Sequence, residues 1–232
     1  MSKLVCHMQK VKSAPVMNSI GEENDREKKE EIEKQRRRNS TIDGTKTAQN
    51  FDALDGIEHD KKMSERVDDV IKKGYNSKRK IRNDAVKMID GVIGSDAEFF
   101  AGMDLQKRKQ FATDCAAFLV QKVGRENIVG CRWHNDEVPP HLHFQFVPLK
   151  DGKLNVKECG FTKVGLQVWH SELANFLHQR GWKIERGTVR QEWEKPVQHL
   201  QPNEYKRKHY SVDVPSVKLE KILHQIDGRV DI

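Results

Sequence analysis

Residues 141–149, HLHFQFVPL, alternate polar and apolar so strictly that they read as an extended strand with two unlike faces. Side chains two positions apart on a strand share a face. His141 and His143 then project together with Gln145 beyond them, and Leu142, Phe144 and Phe146 point into a core. The residues just before, RWHNDEVPP at 132–140, add His134, Asp136, Glu137 and a Pro-Pro turn. Ten positions, 134–143, therefore hold three histidines and two acids. A lone His-x-His is usually surface polarity, but a third histidine and a carboxylate at this range make a metal site the better reading. Three neutral imidazoles suit Mn, Zn, Fe, Co or Ni. Glu137 or Asp136 would add an oxygen donor and widen the choice to Mn and Mg. A site of this kind with open positions polarises a phosphoryl oxygen. The zinc-protease signature, HExxH on a helix, is missing.

The rest of the chain supplies a frame for that strand. Further strands are expected over 2–12, 85–93 and 127–133, with an extended piece near Asn50–Leu54 and a short strand at 182–185. Asp104 is an N-cap for a helix over 105–123, with an apolar stripe of Phe111, Cys115, Phe118 and Leu119 closed by Gly124. Trp169, Leu173, Phe176 and Leu177 mark a second long helix over 162–180, ended by Gly181. Met63, Val67, Val70 and Ile71 fall on one face of a helix at 61–73. DGK at 151–153 signals a hairpin. Pro15 and Gly21 make 13–21 read as a loop. Residues 22–38, EENDREKKEEIEKQRRR, have almost nothing apolar to bury and read as a charged, helical or disordered insertion. A last short helix, 216–227, carries Leu219, Ile222, Leu223 and Ile226. The order implies an α+β fold, a mainly antiparallel central sheet flanked by helices. We expect one domain over 1–210 and a helical tail over 211–232, the start of a region used for homodimer formation.

Composition limits the setting. Lys plus Arg number 42 against 35 acids, a surplus that invites a polyanion such as nucleic acid. No apolar run approaches the roughly 18–20 residues a membrane span needs, and the N-terminus lacks the apolar centre of a signal peptide. A cytoplasmic location is expected. Cys6, Cys115, Cys131 and Cys159 lie far apart, neither a disulfide framework nor a zinc-finger pattern.

HNDEVPPHLHFQFVPL resembles the HxDExxPHxH motif of the Mob/Pre plasmid mobilisation relaxases, a branch of the HUH endonucleases. HMQKVKS, RNSTIDGTKTAQNFDAL at 38–54, KRKIRNDAVKM at 78–88 and then SDAEFF are similar to blocks of that family, in its order. DGKLNVKE, ERG at 185–187 and EYKR at 204–207 continue the series, so the resemblance spans roughly residues 3–208. It implies a domain that binds a plasmid transfer origin, nicks one strand and holds the 5′ end covalently, with Mn or Mg on the scissile phosphate. By match, His134, His141 and His143 are ligands, Glu137 is a further ligand or an orienting group, and Asp136 stands behind them. The family nucleophile is a histidine in a His-Asn-x-Arg block. Here the matching stretch is GEENDRE, where Asn24 and Arg26 hold their places and Glu23 replaces the histidine.

Three readings of the nucleophile follow. Glu23 attacks and forms an acyl phosphate. Tyr75, Tyr205 or Tyr210 attacks instead, as tyrosine does in other HUH enzymes. Or the chain binds and positions origin or promoter DNA with little or no cutting. His7 is an alternative only if the alignment slips. A hydrolase of some other phosphodiester is a further, weaker reading. Arg26 would clamp a phosphate beside Asn24, and Lys10, Arg79, Lys80, Arg82, Arg186, Lys206 and Arg207 are candidates for contacts with the DNA backbone.

Overall fold

A computed structural model describes residues 2–39 and 41–187 of the chain. Strands β1 (Val5–Val11), β2 (Phe51–Asp52), β3 (Met88–Gly94), β4 (Ile128–His134) and β5 (His141–Phe146) form one sheet. Its order is β1-β3-β5-β4-β2, and every neighbouring pair is antiparallel. The histidine strand β5 is thus central, as its two-faced pattern requires. β6 (Leu149–Lys150) and β7 (Lys153–Leu154) make the expected hairpin. Asp151 and Gly152 at its tip have φ of 47° and 70°, the pair of left-handed residues that a tight two-residue turn demands.

Helices α5 (Leu105–Val123) and α6 (Lys163–Gln179) cover one face of the sheet. Phe111, Cys115, Phe118, Leu119, Trp169, Leu173 and Leu177 pack there against Ile89, Ile93, Leu142, Phe144, Phe146 and Trp133. Asp104 caps α5 as the sequence implies, accepting from the Lys107 amide at 2.7 Å. Gly91 faces this core opposite Phe144, and a Cβ there would lie 2.4 Å from the Phe144 ring, so only glycine lets the ring lie across the strand. The short helix α4 (Ala97–Phe100) leads into α5 and adds Phe100 to the aromatic cluster.

The opposite face carries α1 (Ala14–Asn24), α2 (Lys29–Arg38) and α3 (Met63–Gly74) around a second core. That core joins Met17, Met63, Val67 and Ile71 to Val11, Met88, Val129 and Val147. One expectation is corrected here, and of a second the helical reading holds while its solvation does not. Residues 13–21 are not a loop: Pro15 sits in the first turn of α1, where its missing N–H breaks no helical bond, and Gly21 is the close contact with Met63 of α3. The charged run 22–38 is the end of α1, a corner and α2, with Asn24, Arg26 and Gln35 buried. An irregularity between Ile128 and Gly130 inserts Val129 into β4 and places it in the second core. At the outer edge, the expected strand at 182–185 reduces to a bridge between Lys3 and Glu185. The helix expected at 216–227 and the boundary near 210 lie outside the described residues. Among the described residues, no helix is long and apolar enough to cross a membrane.

Candidate metal and catalytic site

Antiparallel register sets the histidines side by side. His134 at the end of β4 pairs with His141 at the start of β5, and Arg132 pairs with His143. The ring centroids lie 4.6 Å (His134–His143), 4.7 Å (His141–His143) and 5.7 Å (His134–His141) apart. One donor atom from each of His134, Glu137, His141 and His143 falls within 4.8 Å of the others.

The donor chemistry fits a divalent cation. His141 Nδ1 lies 2.8 Å from the Pro139 carbonyl, which only accepts, so Nδ1 carries the proton and Nε2 keeps its lone pair. That Nε2 is 2.9 Å from His143 Nε2. The two nitrogens are close enough to be held by one cation between them. Burial, then the nearness of His134 and His141, holds His143 well below the usual histidine range and so favours its neutral ring. His134 is held differently. Its Nε2 faces the Asn24 carbonyl at 3.0 Å and donates to it, leaving the lone pair on Nδ1, 3.4 Å from Arg26 Nη2.

The corner between α1 and α2 locks onto this cluster. Arg26 is fully buried, and its guanidinium forks onto Asp136, Nη2 to Oδ1 at 2.7 Å and Nε to Oδ2 at 3.2 Å. The same Nη2 reaches Glu137 Oε1 at 3.1 Å. Asn39 donates to the other Glu137 oxygen at 2.6 Å. Thr47 donates to Asp136, and the Asn50 side chain accepts from the backbone amides of Asn135 and Asp136. Asp136 is therefore a support for the loop and stands outside the donor set. Glu23 precedes Asn24 on α1 and keeps an exposed edge. Desolvation of its carboxyl, then the charge of Glu137, raises its pKa, with His134 and Arg26 opposing.

Beside the corner lies a second charged group. His59 faces Asp25 with Nδ1 (3.1 Å, an ion pair without hydrogen-bond alignment) and Asp52 with Nε2 (2.7 Å). Contact with Asp25, then with Asp52, lifts the His59 pKa from 6.5 to about 9. A folded pKa above the unfolded one stabilises fully below about 6.5, and that contribution is lost as pH rises through about 9. The gap corresponds to about 3 kcal/mol before screening, and to about 1–2 kcal/mol for a ring still 28% exposed. Urea melts at pH 6.5 and pH 10 are expected to differ by that much in the parent and to converge in His59→Gln. Equal pH dependence in the two proteins would contradict the assignment.

The other residues singled out from the sequence distribute unevenly. Strand alternation sends Lys10 to the face opposite His7, Gln9 and the site. His7 shares the row of His143, two strands away across Val92. Arg79, Lys80 and Arg82 are exposed on the connection between α3 and β3, where Arg82 pairs with Asp84 and Tyr75 donates to the Arg79 carbonyl. Arg186 is held by Ser171 and the Gln167 carbonyl of α6. Lys206, Arg207, Tyr205 and Tyr210 lie outside the described residues. Sequence reasoning missed Asn39, Thr47 and Asn50 as supports. It also missed Asp90, which sits one row beyond His143, between the amides of Gln9 and Gln145 at 2.8 Å each.

Known proteins match this architecture along most of the chain. The family model described as plasmid recombination enzyme, Mob_Pre, matches residues 1–207. Plasmid recombination enzyme type 1 of Staphylococcus aureus is 31% identical over 89% of this chain and 49% of its own length. The type 3 enzyme of Mammaliicoccus lentus is 34% identical over 90% and 48%. The chain thus spans about half the length of the curated relatives it matches. Among solved structures, the Mn-bound MobM relaxase domain with a 22-nucleotide plasmid pMV158 oriT DNA carrying a 3′ thiophosphate superposes with a TM-score of 0.77 at 26% identity. That match covers 90% of this chain and all of the other. By family model, relatives and fold, the chain belongs to the Mob/Pre family of plasmid recombination enzymes.

Proposed function

We propose that this chain is a relaxase domain that binds the transfer origin of a plasmid or related mobile element in the cytoplasm, nicks one strand and rejoins it. The observation that carries the reading is the convergence of the ring nitrogens His141 Nε2 and His143 Nε2, 2.9 Å apart, beside Glu137 and His134. These four residues would hold Mn or Mg. The ion, when bound, neutralises charge on the scissile phosphate and polarises its oxygens. The Glu23 carboxylate attacks phosphorus, a carboxyl O–P bond forms, and the P–O3′ bond breaks with its electron pair leaving on the 3′ oxygen. Rejoining runs the same steps backward. Arg26 is committed to Asp136 and Glu137, so it acts by fixing the ligand loop rather than by gripping DNA. Arg79 and Lys80, exposed on their loop, are available to the DNA backbone.

The test is conversion of supercoiled DNA carrying the locus that encodes this chain. Mn is expected to yield open circles with protein on the 5′ end, and chelation to stop the reaction. His141→Ala should weaken Mn binding by at least about a hundredfold and demand correspondingly more Mn for nicking. Nicking by His141→Ala at parental Mn levels would sink the metal assignment. The second reading, a binding protein of origin or promoter DNA that does not cut, is favoured by the carboxylate at position 23. It predicts a gel shift with no open circles at any Mn concentration.

A further inference from the structure

The residues that flank the corner form a closed ring. Asp25 meets His59 at 3.1 Å, His59 meets Asp52 at 2.7 Å, Asp52 meets Arg132 at 3.4 Å, and Arg132 meets Glu27 at 2.7 Å. Glu27 is two residues from Asp25, so the ring begins and ends on the turn that carries Arg26 and follows Glu23. Its members come from the corner, the connection between β2 and α3, β2 and β4. Arg66 of α3 ties Asp25 a second time at 2.6 Å. On the inner side of the same turn, the Asn24 carbonyl accepts from His134 and Arg26 forks onto the ligand loop. We propose that His59 is a positioning residue for strand cleavage, clamping the α1–α2 corner to β2 so that Glu23 is held facing the metal cluster.

The chemistry of His59 makes this a clamp rather than a spacer. Both ring nitrogens face carboxylate oxygens, and a carboxylate only accepts, so both nitrogens must carry protons. A neutral ring leaves one acid facing a lone pair. The charges around it are Asp25 from the corner, Asp52 from β2, Arg66 from α3, Arg132 from β4 with Glu27 beyond, and Glu58, Asp60 and Lys61 on its own segment. Arg66 and Arg132 each neutralise one end of the bridge, yet neither spans the two acids. Without His59 the turn keeps its ties to Arg66 and, through Glu27, to Arg132, but Asp25 loses its bridge to β2 and the ring opens on the side nearer Glu23; small misplacements of an attacking group are costly in rate.

The inference rests on the cutting reading above, and the experiment separates the two. Nicking of supercoiled DNA carrying the encoding locus is followed with Mn from pH 6.5 to 10 in the parent, His59→Gln and His59→Lys. The parent should hold its rate up to about pH 9 and fall beyond it as the ring loses a proton. His59→Gln should be about 10–100-fold slower at pH 7.5, with half-saturating DNA and Mn concentrations within about twofold of the parent and no fall near pH 9. His59→Lys, charged throughout and able to reach both acids, should recover most of the rate and keep it past pH 9. Parental rate and profile in His59→Gln would overturn the proposal. So would a loss confined to DNA affinity. Should the parent itself not cut, hydrogen exchange of the amides at 23–27 decides. Faster exchange in His59→Gln than in the parent and in His59→Lys supports the clamp while the cutting reading falls, and equal exchange overturns the clamp.

Discussion

Glu23→Ala should lose DNA nicking by at least about a thousandfold, with folding and Mn binding intact. Glu23 keeps an exposed edge at the end of α1, so its removal opens no cavity and orphans no buried partner. Desolvation and Glu137 raise its pKa, which makes its carboxylate more basic than an ordinary surface acid and hence a better nucleophile. The adduct gives an independent signature. A bond from Glu23 to phosphorus is an acyl phosphate, which neutral hydroxylamine cleaves. Glu23→His would give a phosphoramidate, which survives alkali that hydrolyses an acyl phosphate. Parental nicking by Glu23→Ala would remove Glu23 from the mechanism and leave tyrosine or water as the attacking group. A silent parent with an active Glu23→His would mean that the metal site is sound and that this chain binds without cutting.

Arg26→Met should destabilise the fold by about 3–5 kcal/mol, because it strips the partner from two buried carboxylates at once. Asp136 is 1% exposed and Glu137 5%. In a domain of this size the melting temperature should drop by about 6–20 °C. Nicking should fail as well, since that guanidinium is what ties the corner to both Asp136 and Glu137. A second variant separates charge from packing. Arg26→Met with Asp136→Asn removes one of the orphaned charges and should regain part of the loss. A single variant as stable as the parent would show that the fork onto Asp136 contributes little.

The parts of this fold that depend on local periodicity were legible in the sequence. The alternation of HLHFQFVPL put His141 and His143 on one face, and the register of β4 against β5 brings His134 beside them. Asp104, Gly124 and the DGK turn fall where side-chain chemistry requires them. The charged run 22–38 was legible as helical but not as buried, because its burial rests on polar groups. Asn24, Arg26 and Gln35 carry no apolar signal, and what draws Arg26 inward is a pair of acids about 110 positions further along. Pro15 misled for the opposite reason, since proline stops a helix in its interior yet suits its first turn. Lys10 was assigned by charge alone, and one position of strand register placed it on the far face. The His59 ring had no sequence signal, because its five members span positions 25–132 with no shared spacing.

The edge of the sheet carries a consequence for how the chain is made. Leu4 donates to the Glu185 carbonyl at 2.7 Å, and Glu185 donates back to Ser2 at 2.9 Å. The strands at the heart of the site, β3, β5 and β4, come from one stretch, residues 88–146, and can pair as soon as it leaves the ribosome. β1 is synthesised first, yet Lys3 just ahead of it waits for Glu185, made near the end of the described chain. A ribosome stalled before residue 185 would therefore present the three histidines on a sheet whose leading segment, Ser2–Leu4, still lacks its partner. In a growing chain, the residues that would hold a metal ion are complete before the segment that fastens the N-terminus has been made.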